Sequence, residues 1–382
     1  MSVRRITVAV AVAAALLGLA APGAAYGAPS AAEAVPTSWE YQAMGLAAAQ
    51  RATQGEGITV AVLDSGVEAD HPSLRGKVTE GPDYIRDGLR PGDPEWGDHG
   101  TAMASDVIKV APKAQILSVR VTNGDEKPRV IQGGSPIAQG IDYAVDHGAD
   151  VISMSIGGEL LGNSYDEQEA AALARAAQKG IPVLASAGND GDMFNDAQYP
   201  AAYPGVIAVA ALQQNGSRAE FSTVRTYTAV AAPGVDIMSA KNTGGYDTIN
   251  GTSPATALTS GVVALMLSQN GKLTPAQVRT ILTSTARHPS GGHNALVGYG
   301  PVDAAAAVTA SAKPPADETA PVAYQGKKRL ATPDGTPKTK NPPLEMDLVG
   351  IGLGAAAVGL LMITGAVLIT RAARRGAAAI RG

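Results

Sequence analysis

Short apolar runs alternate with helix-like segments through the centre of this chain, and that alternation restricts its fold more than any other feature. The runs are rich in Val, Ile and Leu with little polar alternation, as in strands buried on both faces; they cover residues 58–63, 115–121, 150–154, 181–186 and 206–210. Helix-like segments accompany them over 99–110, 136–147, 166–179, 253–269 and 275–285. This order predicts a mostly parallel sheet with helices on both faces, a three-layer α/β/α fold. Functional residues are then expected just beyond the carboxyl ends of strands.

The N-terminus has the pattern of a secretory signal over residues 1–28. Arg4 and Arg5 precede an uncharged apolar run at 6–20, and small residues follow over 24–28. The apolar run is shorter than the roughly 20 residues that a membrane helix needs. We therefore predict a cleaved signal rather than an uncleaved N-terminal anchor.

The C-terminus instead predicts a membrane anchor. Residues 348–370 carry no charge and are long enough to cross a bilayer as one helix. The segment 371–382 that follows is rich in arginine. The positive-inside rule places such a tail in the cytoplasm and everything before the span outside the membrane.

Three further regions lie between the two ends. Residues 58–311 are long enough for one large domain with its own core. Residues 312–347 are rich in Pro, Lys, Asp and Thr and poor in apolar side chains, which predicts an extended stalk. Residues 29–57 are too few to fold alone, so we predict an N-terminal extension that packs on the main domain. The alternative is a short inhibitory peptide that is clipped in use.

Composition removes several kinds of site from consideration. The chain has no cysteine, which excludes disulfides, a thiol nucleophile and a cysteine-ligated metal. Its formal charge of −4 gives no reason to expect nucleic acid as a partner. No metal or cofactor is predicted.

Three polar residues stand where the strand-end rule expects function. Asp64 ends the first apolar run and is either a turn residue or a functional carboxylate. His99 begins a helix-like run of small residues, a context that the other four of the five histidines lack. Ser253 precedes Pro254 at the start of another helix; a plain N-cap followed by a first-turn proline explains that pattern equally well.

The order Asp, His, Ser separates subtilisin from chymotrypsin and from the α/β-hydrolases. Asp64-Ser65-Gly66, His99-Gly100-Thr101 and Gly251-Thr252-Ser253 resemble the three signature blocks of the subtilase family. Two more blocks agree; they are Ala185-Ser186-Ala187-Gly188-Asn189 and Ser153-Met154-Ser155-Ile156-Gly157-Gly158.

The resemblance implies a subtilisin-like fold and serine endopeptidase chemistry on protein or peptide substrates. It implies Asp64, His99 and Ser253 as the catalytic triad and Asn189 as the oxyanion-hole side chain. The substrate cleft would be lined by Ser155, Ile156, Gly157 and Gly188. The order of signal, protease, stalk, span and basic tail further resembles the mycosins, membrane-anchored subtilases associated with type VII secretion, so a secretion complex is an expected partner.

The sequence departs from the family pattern at several positions. Pro254 replaces a large apolar residue after the nucleophile, and the segment 102–105 differs from the usual continuation after the histidine. The connection near 110–112 is too short for the loop that often carries calcium. The proton-transfer groups themselves are unchanged.

A protease-fold scaffold that binds without cutting is the main alternative, although it has no need of all four catalytic residues. An esterase of the α/β-hydrolase type needs a G-x-S-x-G motif, and a zinc protease needs H-E-x-x-H; the sequence contains neither.

Overall fold

The computed structural model describes residues 37–124, 134–157, 165–317 and 346–379. The strands are β1 (Thr59–Asp64), β2 (Val78–Asp83), β3 (Gln115–Arg120), β4 (Val151–Met154), β5 (Val183–Ser186), β6 (Ile207–Leu212), β7 (Thr228–Pro233), β8 (Ile237–Ala240) and β9 (Tyr246–Ile249). The helices are α1 (Trp39–Ala43), α2 (Leu46–Ala52), α3 (Asp98–Val110), α4 (Pro136–Asp146), α5 (Glu167–Gln178), α6 (Thr252–Gln269), α7 (Pro275–Thr285), α8 (Ala304–Ser311) and α9 (Met346–Ala379).

Seven strands form one sheet in the order β2-β3-β1-β4-β5-β6-β7, and every neighbouring pair is parallel. The predicted parallel sheet and its five strands are confirmed, with bounds shifted by one or two residues. The two edge strands, β2 and β7, were not predicted. β2 is polar and partly exposed, so it lacks the apolar run of a buried strand. β7 is buried at every residue, but it is rich in alanine and ends in proline rather than being rich in Val, Ile and Leu. A separate antiparallel pair, β8 and β9, was also not predicted.

Helices cover both faces of the sheet. In β1, Val60 and Val62 belong to one hydrophobic cluster, whereas Ala61 and Leu63 belong to another on the opposite face. The first cluster is closed by α3, α6, α7 and α8, and the second by α4 and α5. The three-layer prediction is thereby confirmed.

Several helices begin where local capping chemistry fixes them. The side chains of Ser135, Asp166 and Thr274 each accept a hydrogen bond from a backbone N–H in the first turn of the helix that follows. Pro136 and Pro275 occupy first-turn positions, where a missing N–H has no cost. The predicted starts of these helices lie within one residue of the observed ones.

Two long helices, α3 and α6, cross closely on the same face of the sheet. A Cβ atom on Gly261 of α6 would lie only 2.6 Å from Cβ of Val110 in α3. Only glycine permits this approach, because real Cβ atoms essentially never come that close. The crossing fixes the two helix starts, which carry His99 and Ser253, relative to each other.

The segment before β1 forms α1 and α2 and packs against the main domain. Met44 and Leu46 are buried in the larger hydrophobic cluster. The Trp39 indole donates to the Val235 carbonyl at 2.8 Å. Glu40, fully buried, pairs with the buried Lys109 Nζ at 3.1 Å.

The helix α9 belongs to a second unit of the chain. Its segment Val349–Ile369 is long and apolar enough to cross a membrane, which agrees with the predicted span at 348–370. The predicted signal at 1–28 lies outside the described residues. So does the predicted stalk beyond residue 317 and up to residue 345.

Candidate active site

The predicted site residues follow neighbouring strands at one edge of the sheet. Asp64 ends β1, Ser155 follows β4, and Asn189 follows β5. These three strands are adjacent, and neighbouring strands lie about 4.8 Å apart. The topology thus gathers side chains that are far apart in the sequence.

His99 and Asp64 are in direct contact. The Nδ1 atom of His99 lies 2.8 Å from Oδ1 and 3.0 Å from Oδ2 of Asp64. A carboxylate can only accept, so Nδ1 carries the proton and Nε2 of the neutral ring is left as a base. The Asp64 side chain is fully buried, whereas that of His99 is 37% exposed.

The surroundings of His99 shift its pKa in opposite directions. Burial lowers the pKa of His99. The negative charge of Asp64 and the hydrogen bond to Asp64 have the opposite effect and raise the pKa. The net result is a His99 pKa above its ordinary value of 6.5. Asp64 therefore both orients the ring and stabilises its protonated form.

The start of α3 is fastened to the turn after β1. Ser65 accepts from Gly100 N at its hydroxyl, over 3.0 Å, and from Gly97 N at its carbonyl, over 3.2 Å. A Cβ atom on Gly100 would lie 2.1 Å from the Gly66 carbonyl oxygen, so only glycine fits after His99. This contact explains physically why a glycine follows the histidine.

Asp64 has both of the roles that its position suggested. Its Oδ1 atom accepts from the Ser65 backbone N–H at 2.7 Å, as a turn aspartate does. The same carboxylate also holds His99, so the two interpretations are not exclusive.

Ser253 is the second residue of α6 and not its N-cap. The N-cap position is Gly251, which has no side chain to cap the helix. The Ser253 hydroxyl instead donates to the Ser155 carbonyl at 3.1 Å, and the Ser155 hydroxyl donates to the Ser253 carbonyl at 3.0 Å. The interpretation of Ser253 as a plain cap is therefore wrong.

Ser253 lies against Ser155, which follows the end of β4. The neighbouring strand β1 ends in Asp64. Within the described residues, the hydroxyl of Ser253 bonds to Ser155 and makes no hydrogen bond to His99. Asp64, His99 and Ser253 thus lie at the carboxyl ends of the strands of one sheet. Of the two hydrogen bonds expected within the triad, the bond between Asp64 and His99 is formed.

Asn189 takes over the capping of α6. Its Oδ1 atom accepts from the backbone N–H and from the hydroxyl of Thr252, each at 2.9 Å. The nitrogen of the same amide, Nδ2, lies on the opposite side from these two bonds. It is 3.5 Å from the position that a Cβ atom on Gly251 would occupy. The side chain is not a simple turn residue, because it bonds to a helix start 63 positions away.

The four predicted cleft residues lie on both sides of Ser253. Ser155, Ile156 and Gly157 follow β4, and Gly188 donates its N–H to the Thr252 hydroxyl at 3.2 Å. The last residue of the block, Gly158, lies outside the described residues.

Arg120 was not predicted as a site residue, and it bonds to the turn that follows Asp64. It ends β3 opposite Asp64 and is almost fully buried. Its Nε donates to the Ser65 carbonyl at 3.1 Å, and both Nη atoms bond to Asp87 at 2.7 Å. The guanidinium also lies 4.9 Å from the centre of the Trp96 ring, two residues before Asp98. The sequence feature that could have identified Arg120 is a charged residue at the end of an apolar strand.

Several known proteins are similar to this chain in sequence and in fold. The profile of the subtilase family matches residues 55–300. Thermitase of Thermoactinomyces vulgaris is 38% identical over 248 residues, which is 62% of this chain and 84% of the relative. Subtilisin NAT and subtilisin E, both of Bacillus subtilis, are each 36% identical over 245 residues, which is 61% of this chain and 61% of each relative.

Solved structures of two proteases have a similar fold. The MycP3 protease from the type VII (ESX-3) secretion system superimposes with a TM-score of 0.61 at 30% identity, covering 72% of this chain and 89% of that one. MycP1 from Mycobacterium smegmatis gives 0.59 at 28% identity, covering 74% and 86%.

The family profile covers well over half of the chain, and the parallel sheet with helices on both faces agrees with it. The chain belongs to the subtilase family of serine endopeptidases.

Proposed function

We propose that the protein hydrolyses peptide bonds with Asp64, His99 and Ser253 as its catalytic triad. The observation that carries this proposal is the fixed Asp64–His99 pair, at 2.8 Å, beside a serine at the start of a long buried helix. A carboxylate that holds Nδ1 of the ring leaves Nε2 to act as the general base.

The reaction proceeds in two halves. Ser253 Oγ attacks the substrate carbonyl carbon as His99 Nε2 takes the hydroxyl proton, and that proton then goes to the leaving amine as the C–N bond breaks. In the second half water attacks the resulting ester as His99 Nε2 takes a proton from it. The bond between the acyl carbon and Ser253 Oγ then breaks, the carboxylic acid product leaves, and His99 returns the proton to Ser253 Oγ. Before the first step the Ser253 hydroxyl turns from the Ser155 carbonyl towards His99, which is a rotation about one side-chain bond.

The negative oxygen of the tetrahedral intermediate needs hydrogen-bond donors that are already in place. Asn189 Nδ2 and the backbone N–H of Ser253 supply them. The Ser253 N–H belongs to the first turn of α6, whose N–H groups have no partner within the helix. The positive end of the helix dipole favours the same charge.

Active-site labelling and mutation test this assignment. A fluorophosphonate probe should label the protein at Ser253, whereas a protease-fold scaffold without activity would stay unlabelled. Ser253→Ala, His99→Ala and Asp64→Ala should each lower kcat/KM on a peptide substrate by at least about a thousandfold, because the three residues act as one unit.

The controls are a serine and a histidine that lie outside the site. Ser217→Ala and His288→Ala change exposed residues and should leave the rate unchanged. Near-normal kcat/KM in a folded His99→Ala protein would show that the triad is assigned wrongly.

We further propose that the enzyme is held at a bacterial cell membrane by residues 348–370, with the protease domain outside and residues 371–382 in the cytoplasm. The apolar helix and the basic segment after it support this orientation. The likeness to MycP3, a protease from a type VII secretion system, supports a secretion complex as partner.

A further inference from the structure

Arg120 joins the two segments that carry the Asp64–His99 pair. It ends β3 in register with Asp64, the last residue of β1. The loop 84–97 connects β2 to α3 and so leads directly to His99. The Arg120 side chain, only 1% exposed, bonds both to that loop and to the turn that follows Asp64.

On the side of the loop, the guanidinium binds Asp87 through two bonds. Nη1 and Nη2 donate to Oδ1 and Oδ2 of Asp87, each at 2.7 Å, and Nη1 also donates to Oδ2 of Asp83 at 3.1 Å. Paired bonds of this kind fix the orientation of both groups as well as their distance. Burial lowers the pKa of Arg120, but the hydrogen bond to Asp87 and the charges of both aspartates raise it above its usual value, so the group stays charged.

On the side of the turn, Arg120 acts on Ser65. Nε of Arg120 donates to the Ser65 carbonyl at 3.1 Å, and the Ser65 hydroxyl accepts from the Gly100 backbone N–H at 3.0 Å. Ser65 directly follows Asp64, and Gly100 directly follows His99. The residue between Asp64 and Arg120 is therefore also bonded to the start of α3.

Trp96 closes the same junction from the end of the loop. The guanidinium carbon of Arg120 lies 4.9 Å from the centre of the Trp96 ring. A Cβ atom on Gly66 would lie 2.8 Å from that ring, so the turn after β1 packs directly on the indole. The loop that leads to His99 and the turn that follows Asp64 thus meet around one buried cation.

We propose that Arg120 is a positioning residue for the reaction, which keeps the Asp64 carboxylate and the His99 ring at hydrogen-bonding distance by tying their two segments together. The inference rests on the proposed function of the triad. In the part of the chain that the structure describes, Arg120 makes no hydrogen bond to Asp64 or His99, so it acts through Ser65 and Asp87. A displacement of about 1 Å in a catalytic group can lower the rate about a hundredfold.

The first test is Arg120→Lys in the full-length protein. Lysine keeps the positive charge but cannot bond to both oxygens of Asp87 and to Ser65 at once. Well below the melting temperature, kcat on a peptide substrate should fall at least about tenfold, whereas KM should change less than about twofold. A role in stability alone would lower the melting temperature and leave kcat of the folded protein unchanged.

NMR titration of the His99 ring in a Ser253→Ala background gives a readout that does not depend on turnover. Arg120→Lys should lower the His99 pKa, because a longer contact with Asp64 raises it less. Asp98 and Asp106 of α3 also raise the His99 pKa, and both are unchanged in the variant. The charge at residue 120 is unchanged as well, so a shift reports the geometry of the pair.

Two further variants complete the comparison. Asp87→Asn removes the other side of the paired bonds, so it should change kcat and the His99 pKa in the same direction, and it tests the proposal even if Arg120→Lys does not fold. Arg175→Lys is the matched control, because Arg175 also bonds to two carboxylates, those of Asp142 and Asp146, but lies at the surface of α5. It should behave as wild type.

Labelling of Ser253 by a fluorophosphonate separates this inference from the proposed function. A labelled, active protein whose kcat and His99 pKa stay at wild-type values in Arg120→Lys and Asp87→Asn would overturn the role of Arg120 alone. A folded wild-type protein that is neither labelled nor active would overturn the proposed function and this inference with it.

Discussion

At the scale of single residues, the site relies on side chains that do two things at once. Asp64 binds the backbone of its own turn and the His99 ring. Asn189 accepts from the first residue of α6 and presents its amide nitrogen on the other side. A residue with two bonded neighbours is held in one orientation, which is what a preorganised site requires.

The two roles of Asn189 can be separated by mutation. Asn189→Ala should lower kcat by about 10²–10³ with little change in KM, the usual effect of losing one oxyanion donor. It should also destabilise the protein by about 1 kcal/mol, because the N-terminus of α6 loses its cap. Asn189→Asp keeps the acceptor but not the donor, so it should be as slow as Asn189→Ala while keeping the wild-type melting temperature. An Asn189→Asp protein with normal kcat would contradict the oxyanion role.

The pH dependence of activity follows from the raised pKa of His99. The base must be unprotonated, so kcat/KM should fall with decreasing pH through a midpoint above 6.5. Asp64→Asn removes the charge that raises this pKa and leaves the effect of burial, so the His99 pKa should fall. NMR titration of the His99 ring in a Ser253→Ala background measures the shift without depending on turnover. An unchanged or higher pKa after Asp64→Asn would refute the electrostatic role given to Asp64.

At the scale of elements, two helix starts and three strand ends make the site. The close crossing of α3 and α6 at Gly261 fixes the helices, and Ser65 and Arg120 fasten the turn after β1 to the residues around His99. The N-terminal helices α1 and α2 pack on the same face of the sheet as α3 and α6. There Glu40 of α1 and Lys109 of α3 form a buried ion pair. Burial raises the pKa of Asp106, which also contacts Lys109, to about 6.

The burial of α1 and α2 predicts that the N-terminal extension stays in place after maturation. Clipping near residue 55 would expose the pocket that holds Met44 and Leu46 and would leave Lys109 without Glu40. The mature N-terminus, read by mass spectrometry, should therefore be the same in the wild type and in Ser253→Ala, near residues 25–29. A wild-type terminus near residue 55 that is missing from Ser253→Ala would demonstrate self-processing instead.

At the scale of the whole molecule, the chain joins a folded protease to an apolar helix through residues of stalk-like composition. An extended stalk has an unprotected backbone and is where an added protease cuts first. Trypsin added to intact cells should release a soluble, active fragment that ends near residues 312–345. A catalytic domain that resists trypsin until the membrane is opened would show that the proposed orientation is inverted. Release from Ser253→Ala cells is the control, since it excludes self-cleavage as the cause.

The sequence by itself determined the central architecture. The five buried strands were predicted within a residue or two, because a parallel sheet covered on both faces needs uninterrupted apolar runs. The helix starts at Pro136 and Pro275 were predicted because caps and prolines act locally. Asp64 was predicted from its place at a strand end, His99 from its place at a helix start, and Asn189 from the resemblance of its sequence block to the subtilase family.

Other features were decided only by the tertiary structure. The edge strand β2 was missed because a partly exposed edge strand needs no continuous apolar run. The fully buried strand β7 was missed because its alanines and its proline do not have the Val- and Ile-rich pattern of the other strands. The cap of α6 comes from Asn189, 63 positions before Thr252 in sequence, so no local pattern could reveal that Ser253 is free of that task. Arg120 matters because the sheet places it beside Asp64, where its side chain bonds to the Ser65 carbonyl. Contacts of this kind depend on which strands become neighbours, and that order is set by the packing of the whole domain.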